Sequence, residues 1–394
     1  MDFKTIDYEA IEKIIVNIKK IVEVGVNTVS DDLIDSLDEG IRKINEIIFF
    51  NEKVVGFFLD KLDCHTYLDD VSKWTELIEN IISEQKKLSG TDYKFRRLMD
   101  FIKYVPHEDK RKYMIDAFMN CAESRRINIA GMANQFHNLY GYLDIENNNY
   151  ELIEMRIDGL EKHYDDYLFL YEKLADERSK GTLFEILMCW IDFNVDHIVK
   201  MKDHLYDDYF DKDIIRCDEN EVVVECGGYV GDTVLSYVDN YKYYRKIYVY
   251  EVVPRLCEII KENCIHLNNL EIKNLAVGDE NGVMYIDNPD SEGSITQIKK
   301  EGKAAINVVK VDDDINEKIS FLIMDIEGAE QGALRGCRKH IKEDKPKMAI
   351  CVYHNYDDLA EIPRMMLEMN PEYRLYLRAN GRTWLPSEFV IFAV

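Results

Sequence analysis

A helical N-terminal half leading into an open α/β sheet is the architecture the sequence predicts, and three observations carry it. Apolar residues recur at helical spacing through the first 165 or so positions. In the second half, short β-branched runs alternate with amphipathic segments, the pattern of a mostly parallel sheet covered by helices. Several of those runs end in a carboxylate followed by glycine, which is how such a sheet opens a ligand crevice at its strand ends. At 394 residues the chain exceeds the usual size of one core. A helical domain over 1–165 and an α/β domain over 166–394, with a helical lead-in to about 215, are therefore expected.

In chain order, Ile11, Ile14, Ile15, Ile18, Ile21 and Val22 mark one helical face, with Glu12, Lys13, Lys19 and Lys20 opposite. Ser30-Asp31-Asp32 reads as the capped start of a helix carrying Leu33, Leu37, Ile41, Ile44 and Ile48. The apolar run from Ile47 to Leu59, interrupted by Asn51-Glu52-Lys53, reads as buried helix and is too short for a bilayer. Further helices are expected over Val71–Lys87, Tyr93–Tyr104, Lys110–Ala122 and Tyr150–Leu174, with breaks near Gly90, Pro106 and Asn147-Asn148-Asn149. The mixture of basic and aromatic residues from Arg125 to Tyr140 reads as a helix with a solvated face and an aromatic core stripe.

Composition narrows the function classes. Acidic residues outnumber basic ones by 75 to 50, a formal charge of −25, which repels a phosphate backbone on average. No nucleic-acid partner is expected. The nine cysteines are odd in number and scattered, with no CxxC pair, so neither a zinc site nor a disulfide framework is indicated. The N-terminus, Met1-Asp2-Phe3-Lys4-Thr5, lacks a basic segment followed by an apolar core. A cytoplasmic protein with reduced thiols and no membrane insertion is the expectation.

The segment from Val222 to Thr233 is the most informative. Val222-Val223-Val224 reads as a buried strand, Glu225 ends it, and Gly227, Gly228 and Gly231 form a turn before the helix opened by Asp232-Thr233. The glycine spacing is not that of a dinucleotide fingerprint, which fails at Tyr229 and Asp232 in one register and at Val230 and Thr233 in the other. An acid beside the turn would repel a pyrophosphate. It suits the ammonium of an amino acid group whose carboxylate meets backbone N–H groups. The next strand, Lys246 to Tyr250, ends at Glu251, where a carboxylate accepts both hydroxyls of a ribose. An amino acid end and a ribose end together describe S-adenosylmethionine (SAM).

Two later segments repeat the layout. Phe321 to Met324 leads into Asp325-Ile326-Glu327-Gly328-Ala329-Glu330, and Lys347 to Tyr353 delivers His354 at a strand end before Asp357-Asp358-Leu359-Ala360-Glu361-Ile362-Pro363. With Asn274-Leu275-Ala276-Val277-Gly278 and Leu334-Arg335-Gly336, these motifs make the chain from about Leu174 onward resemble the FkbM-type SAM-dependent methyltransferases. The resemblance implies a Rossmann-like class I methyltransferase domain with seven strands, the last antiparallel, and Glu388–Val394 fits that closing edge. It implies O-methylation of hydroxyls, often on sugars or sugar-bearing products, with a saccharide or small molecule as acceptor. Ile272 to Gly278 reads as the third strand, its end bordering the adenine through Ala276 and Val277. Gly282–Ile286 reads as a hairpin extension, Ser291–Thr296 as a polar loop, and Val308–Val311 as a strand at the sheet edge. The long helical N-terminus has no counterpart in the family pattern and is a candidate for selecting the acceptor or a partner.

Cofactor contacts are thus expected at Glu225, Gly227, Gly228, Tyr229, Gly231, Asp232, Thr233, Glu251, Val252, Ala276, Val277 and Asp325. Methyl transfer needs an acceptor oxygen aligned opposite the sulfur and water kept out. A base helps because an alcohol is a weak nucleophile at neutral pH. His354, Asp325 and Glu327 are the candidates, and a neutral His354 has the most suitable ordinary pKa. Asp325 could instead take a divalent cation, but the sequence assembles no complete ligand set, and no metal is expected. A competing reading keeps the SAM site as a sensor or scaffold without turnover, the helical half binding a partner.

Overall fold

The computed structural model describes residues 90–394 apart from 203–204, 288, 291–295, 297 and 381–387. The helices expected over Ile11–Val22, Leu33–Ile48, Ile47–Leu59 and Val71–Lys87, and residues 291–295 of the expected polar loop, lie outside the described residues. By internal contacts the chain forms two compact units, Met1–Lys110 and Arg111–Val394. In the first, α1 (Gly90–Tyr104) buries Phe95, Leu98, Phe101 and Ile102. The break at Pro106 falls where expected, and α2 (His107–Met119) follows.

In the second unit, α3 (Glu123–Gln135), α4 (His137–Tyr140), α5 (Glu151–Lys162), α6 (Tyr164–Lys173), α7 (Glu177–Asp192) and α8 (Asp196–Met201) precede the sheet. One expected helix, 150–174, is two. His163 breaks it with a non-helical backbone while its buried ring reaches Asp166 at 2.8 Å and Asp357 at 2.7 Å. Asp176 caps α7 by accepting the Ser179 N–H at 2.7 Å. The same carboxylate, with fully buried Asp211, grips the buried guanidinium of Arg378. The lead-in helix is thereby clamped to the sheet by a desolvated charge cluster.

The main sheet contains β1 (Val222–Cys226), β2 (Lys246–Tyr250), β3 (Leu270–Lys273), β7 (Phe321–Met324), β8 (Lys347–Cys351), β9 (Leu375–Arg378) and β10 (Val390–Ala393), in spatial order β3-β2-β1-β7-β8-β10-β9. All neighbours up to β8 are parallel, and β10 runs antiparallel to both β8 and β9. This is the seven-stranded Rossmann-like sheet expected, with one amendment. The last strand does not close the edge but is inserted between β8 and β9. Helices α9 (Asp232–Tyr241), α10 (Pro254–Asn263), α11 (Val311–Asp314), α12 (Glu330–Gly336), α13 (Arg338–Glu343) and α14 (Asp358–Met369) connect the strands. β1 and β7 are buried throughout, as their unbroken apolar runs require.

A second sheet holds β4 (Ala276–Val277), β6 (Ala304–Val309) and β5 (Gly282–Ile286), in the order β4-β6-β5. The expected third strand is therefore split. Asn274 turns the chain by donating its side-chain amide to the carbonyls of Glu251 at 2.8 Å and Val252 at 3.1 Å, and the backbone leaves one sheet for the other. The expected edge strand around Val308 is the centre of this small sheet, pairing with β4 and with the β5 hairpin. No helix among the described residues is long and apolar enough to cross a membrane.

Candidate active site

Successive strands go to opposite sides of β1, to β2 on one flank and β7 on the other, so their C-terminal ends border the crevice that a sheet opens where its winding reverses. The turn after β1 is held to β2 by the N–H groups of Gly227 and Gly228, which donate to Tyr250 O at 2.9 and 3.2 Å. Gly227 has φ +96°, and a Cβ there would stand 1.9 Å from Asp325 O. The other two glycines serve packing. A Cβ on Gly228 would lie 2.3 Å from Val249 Cγ1, and one on Gly231 (φ +83°) would lie 3.0 Å from Cys264 Sγ. Gly228 and Gly231, expected to contact the cofactor, are not among the residues lining the cavity, and their missing Cβ atoms let the turn lie against β2 and α10.

Above the strand ends is a cavity of about 720 Å³, within the range of small-molecule sites. Of the expected residues, Glu225, Gly227, Tyr229, Asp232, Thr233, Glu251, Asp325 and Glu327 line it. An adjoining pocket of about 50 Å³ is lined by Val252, Ala276 and Val277 and shares Gly227, Glu251, Asp325 and Glu327. Three wall residues other than glycine have left-handed backbones, Tyr229 at φ +42°, Glu327 at φ +58° and Glu388 at φ +63°. Such strain persists only where surrounding structure enforces it.

The wall is acidic. Among the described residues that line the cavity, nine are Asp or Glu and none is Lys or Arg. Glu225 is 2 % exposed, and its Oε1 has no hydrogen-bond partner. Burial, then the charge of Asp232, pushes its carboxyl well above the usual range despite a bond from Thr233. Glu251 accepts the Tyr229 N–H on Oε2 at 2.9 Å and the Val253 N–H on Oε1 at 2.8 Å. Burial outweighs those bonds and raises it too. The sequence reading overlooked Asp208 and Tyr209, which the run Tyr206-Asp207-Asp208-Tyr209-Phe210 brings to the wall. Burial, then Glu388, pushes Asp208 up to about 7. The only sequence signal was the alternation of acids and tyrosines, which equally suits an entry loop.

Residues 225–382 match the family model described as the methyltransferase FkbM domain. Over that segment the chain is similar to an FkbM methyltransferase domain. The crystal structure of methyltransferase FkbM from Methylobacillus flagellatus KT is similar at 22% identity and a TM-score of 0.52, over 61% of this chain and 62% of that one. The chain thus spans under two thirds of that protein's length, and the likeness speaks for the fold alone. A rRNA methylase from Streptococcus thermophilus (13% identity, TM-score 0.31, 45% of this chain and 87% of that one) is more distant. So is Aeropyrum pernix fibrillarin with natively bound S-adenosyl-L-methionine (12%, 0.31, 48% and 73%). Neither carries weight below. No curated protein matches the chain.

At the far wall of the cavity, the three residues expected to act on the acceptor come together. His354 Nε2 is 3.3 Å from Asp325 Oδ1 and 3.5 Å from Glu327 Oε2, and Nδ1 is 2.9 Å from Glu330 Oε1. His354 itself lies behind the wall, 2 % exposed. Burial alone would depress its pKa, but Glu330 and Asp325 outweigh it and hold the ring well above its ordinary value. That upward shift runs against the neutral imidazole base expected from sequence. Burial pushes Glu327 up to about 7 against the opposing charge of His354. For Asp325 burial is outweighed by His354 and by the Tyr209 O–H, which donates to Oδ2 at 2.6 Å, and its carboxyl stays below the usual value. Tyr140 of α4, read from sequence as part of a structural stripe, donates its O–H to Tyr353 O at 3.0 Å and so backs this wall.

Proposed function

We propose that this α/β domain is a SAM-dependent methyltransferase that transfers a methyl group to a hydroxyl oxygen of a saccharide or glycosylated small molecule, in the cytoplasm. The observation that carries the reading is the pair Glu225 and Glu251, set at adjacent strand ends on either side of the Gly227 turn and facing one cavity. A buried carboxylate oxygen with no partner suits an ammonium group. Glu251, fixed by two backbone N–H groups, keeps further lone pairs for two ribose hydroxyls. Val252, Ala276 and Val277 would edge the adenine. When bound, SAM supplies a methyl group on a sulfonium, already a good leaving group.

The chain's own task is then to hold the acceptor oxygen in line and exclude water. Asp325, Glu327 and His354 are the groups we assign to the acceptor, the carboxylates receiving its proton and His354 bracing them from behind. A wall rich in carboxylates disfavours phosphorylated acceptors and nucleic acid, and suits a neutral polyhydroxyl ligand.

Calorimetric titration with SAM, its demethylated product, NAD and ATP tests the cofactor, and transfer of labelled methyl groups into glycosides tests the acceptor. SAM and its product should bind, NAD and ATP should not, and label should appear as an alkali-stable ether. No heat with SAM, or tighter NAD binding, would overturn the reading.

A further inference from the structure

We propose that Asp325, Glu327 and His354 form a site for one divalent first-row transition cation, Mn²⁺ or Zn²⁺, at the cavity wall. The donor atoms are Asp325 Oδ1, Glu327 Oε2 and His354 Nε2. They lie within 4.8 Å of one another, and Nε2 is 3.3 and 3.5 Å from the two oxygens. A cation with ligands at about 2.0–2.2 Å sets neighbouring donors about 2.8–3.6 Å apart, between octahedral and tetrahedral angles.

Acids gathered in a cleft are common without a metal, and it is His354 that distinguishes this group. It is 2 % exposed, and neither ring nitrogen makes an aligned hydrogen bond. Its Nδ1 faces Glu330, which is fully buried and fixed by the N–H groups of Ile326 at 2.9 Å and Gly328 at 3.1 Å. A carboxylate behind one ring nitrogen, with the other turned to the ligand cluster, is the arrangement that orients metal-binding imidazoles. Tyr209 donates to Asp325 Oδ2 at 2.6 Å, and the Tyr353 O–H reaches both Asp325 oxygens at 3.3 Å, with Oδ1 on the side of the ring. The left-handed backbone of Glu327 keeps its carboxylate in the cluster.

A second His-carboxylate cluster shows the contrast. Both ring nitrogens of His163 are bonded, to Asp166 and Asp357, and Lys162 already supplies a cation to Asp357 at 2.9 Å and Glu361 at 3.5 Å. That group is satisfied by the protein itself.

One nitrogen and two carboxylate oxygens suit Mn²⁺ or Zn²⁺ better than Ca²⁺, which takes oxygens alone. Three protein ligands leave positions open toward the cavity, because Asp325 and Glu327 line it. Those positions would take a pair of neighbouring hydroxyls and polarise one of them. That role rests on the methyl-transfer reading, whereas cation binding does not.

The test uses the full chain, stripped with a chelator and titrated with Mn²⁺, bound ion being read by loss of the free-ion electron paramagnetic resonance signal and Zn²⁺ serving as competitor. One Mn²⁺ per chain is expected. His354→Gln and Glu327→Gln should each weaken it at least about tenfold, with circular dichroism unchanged. A wild-type chain that binds SAM but neither metal would overturn the site, as would Mn²⁺ binding indifferent to both substitutions. A chain that binds Mn²⁺ but not SAM would keep the site and lose the methyl-transfer reading instead.

Discussion

The Tyr229 N–H donates to Glu251 Oε2 at 2.9 Å, so the acid ending β2 is tied to the glycine turn that follows β1. One carboxylate thereby sets both the turn's shape and the ribose end of the proposed cofactor site. Glu251→Gln keeps the shape and removes the charge. We expect SAM affinity to fall about tenfold to a hundredfold, the range for hydrogen bonds to a charged group at about 1.5–3 kcal/mol, with the far-ultraviolet spectrum unchanged. Calorimetry returning wild-type affinity would confine Glu251 to holding the turn.

Glu225 should show a conflict between stability and binding. Its folded carboxyl is raised, so the native state holds that proton more tightly than the unfolded chain does. The sign follows: stability is greatest below the unfolded carboxyl range near 4.5 and declines as pH rises through the folded value. Glu225→Gln should raise Tm at pH 8 by about 2–4 °C, the shift given by about 1 kcal/mol in a domain of this size. The gain should shrink at pH 5, and SAM should bind more weakly at both. A Tm at pH 8 below wild type would show that the buried charge stabilises the fold.

Gly228 gives a steric test. Because its Cβ would meet Val249 and Ile260 rather than the cavity, Gly228→Ala should cost about 1–3 kcal/mol by overpacking, measured by urea unfolding without ligand. Unchanged stability together with lost SAM binding would return this glycine to the ligand.

His197 of α8 carries a pH-dependent clamp onto α7. Its ring meets Glu185 and lies 2.8 Å from Asp192. Burial would depress it, but Asp192 and Glu185 push it up to about 9. A raised histidine contributes fully below its unfolded pKa near 6.5 and loses that contribution as pH rises through about 9. Wild type should exceed His197→Ala by about 1–3 kcal/mol at pH 6, and the difference should fade by pH 10. A gap independent of pH would mean that the ring acts by packing alone.

Legibility in the sequence followed the physics of each feature. Strand-end acids beside glycine turns were legible because β1, β2 and β7 are buried runs whose registers fix where they end. The meeting of Asp325, Glu327 and His354 followed from both strands ending at one level. What stayed hidden depended on contacts between distant segments. Nothing local marks Tyr209 as the donor to Asp325, 116 positions away. The upward shift of His354 comes first from Glu330, which reads in sequence as an ordinary helix-start acid. Asn274 looks like any turn residue, although its amide sends the chain into a second sheet.

The insertion of β10 between β8 and β9 sets a schedule for folding. β8 and β9 do not pair with each other, so until residues 390–393 arrive β8 is an open edge and β9 has no strand partner in the sheet. On the ribosome, a nascent chain lacking that segment would hold a finished glycine turn beside an unfinished sheet, with apolar β8 free to pair with a neighbour's edge. The half of the molecule that forms the cavity floor can assemble early. The half that supports His354 must wait for the segment that reaches the sheet last.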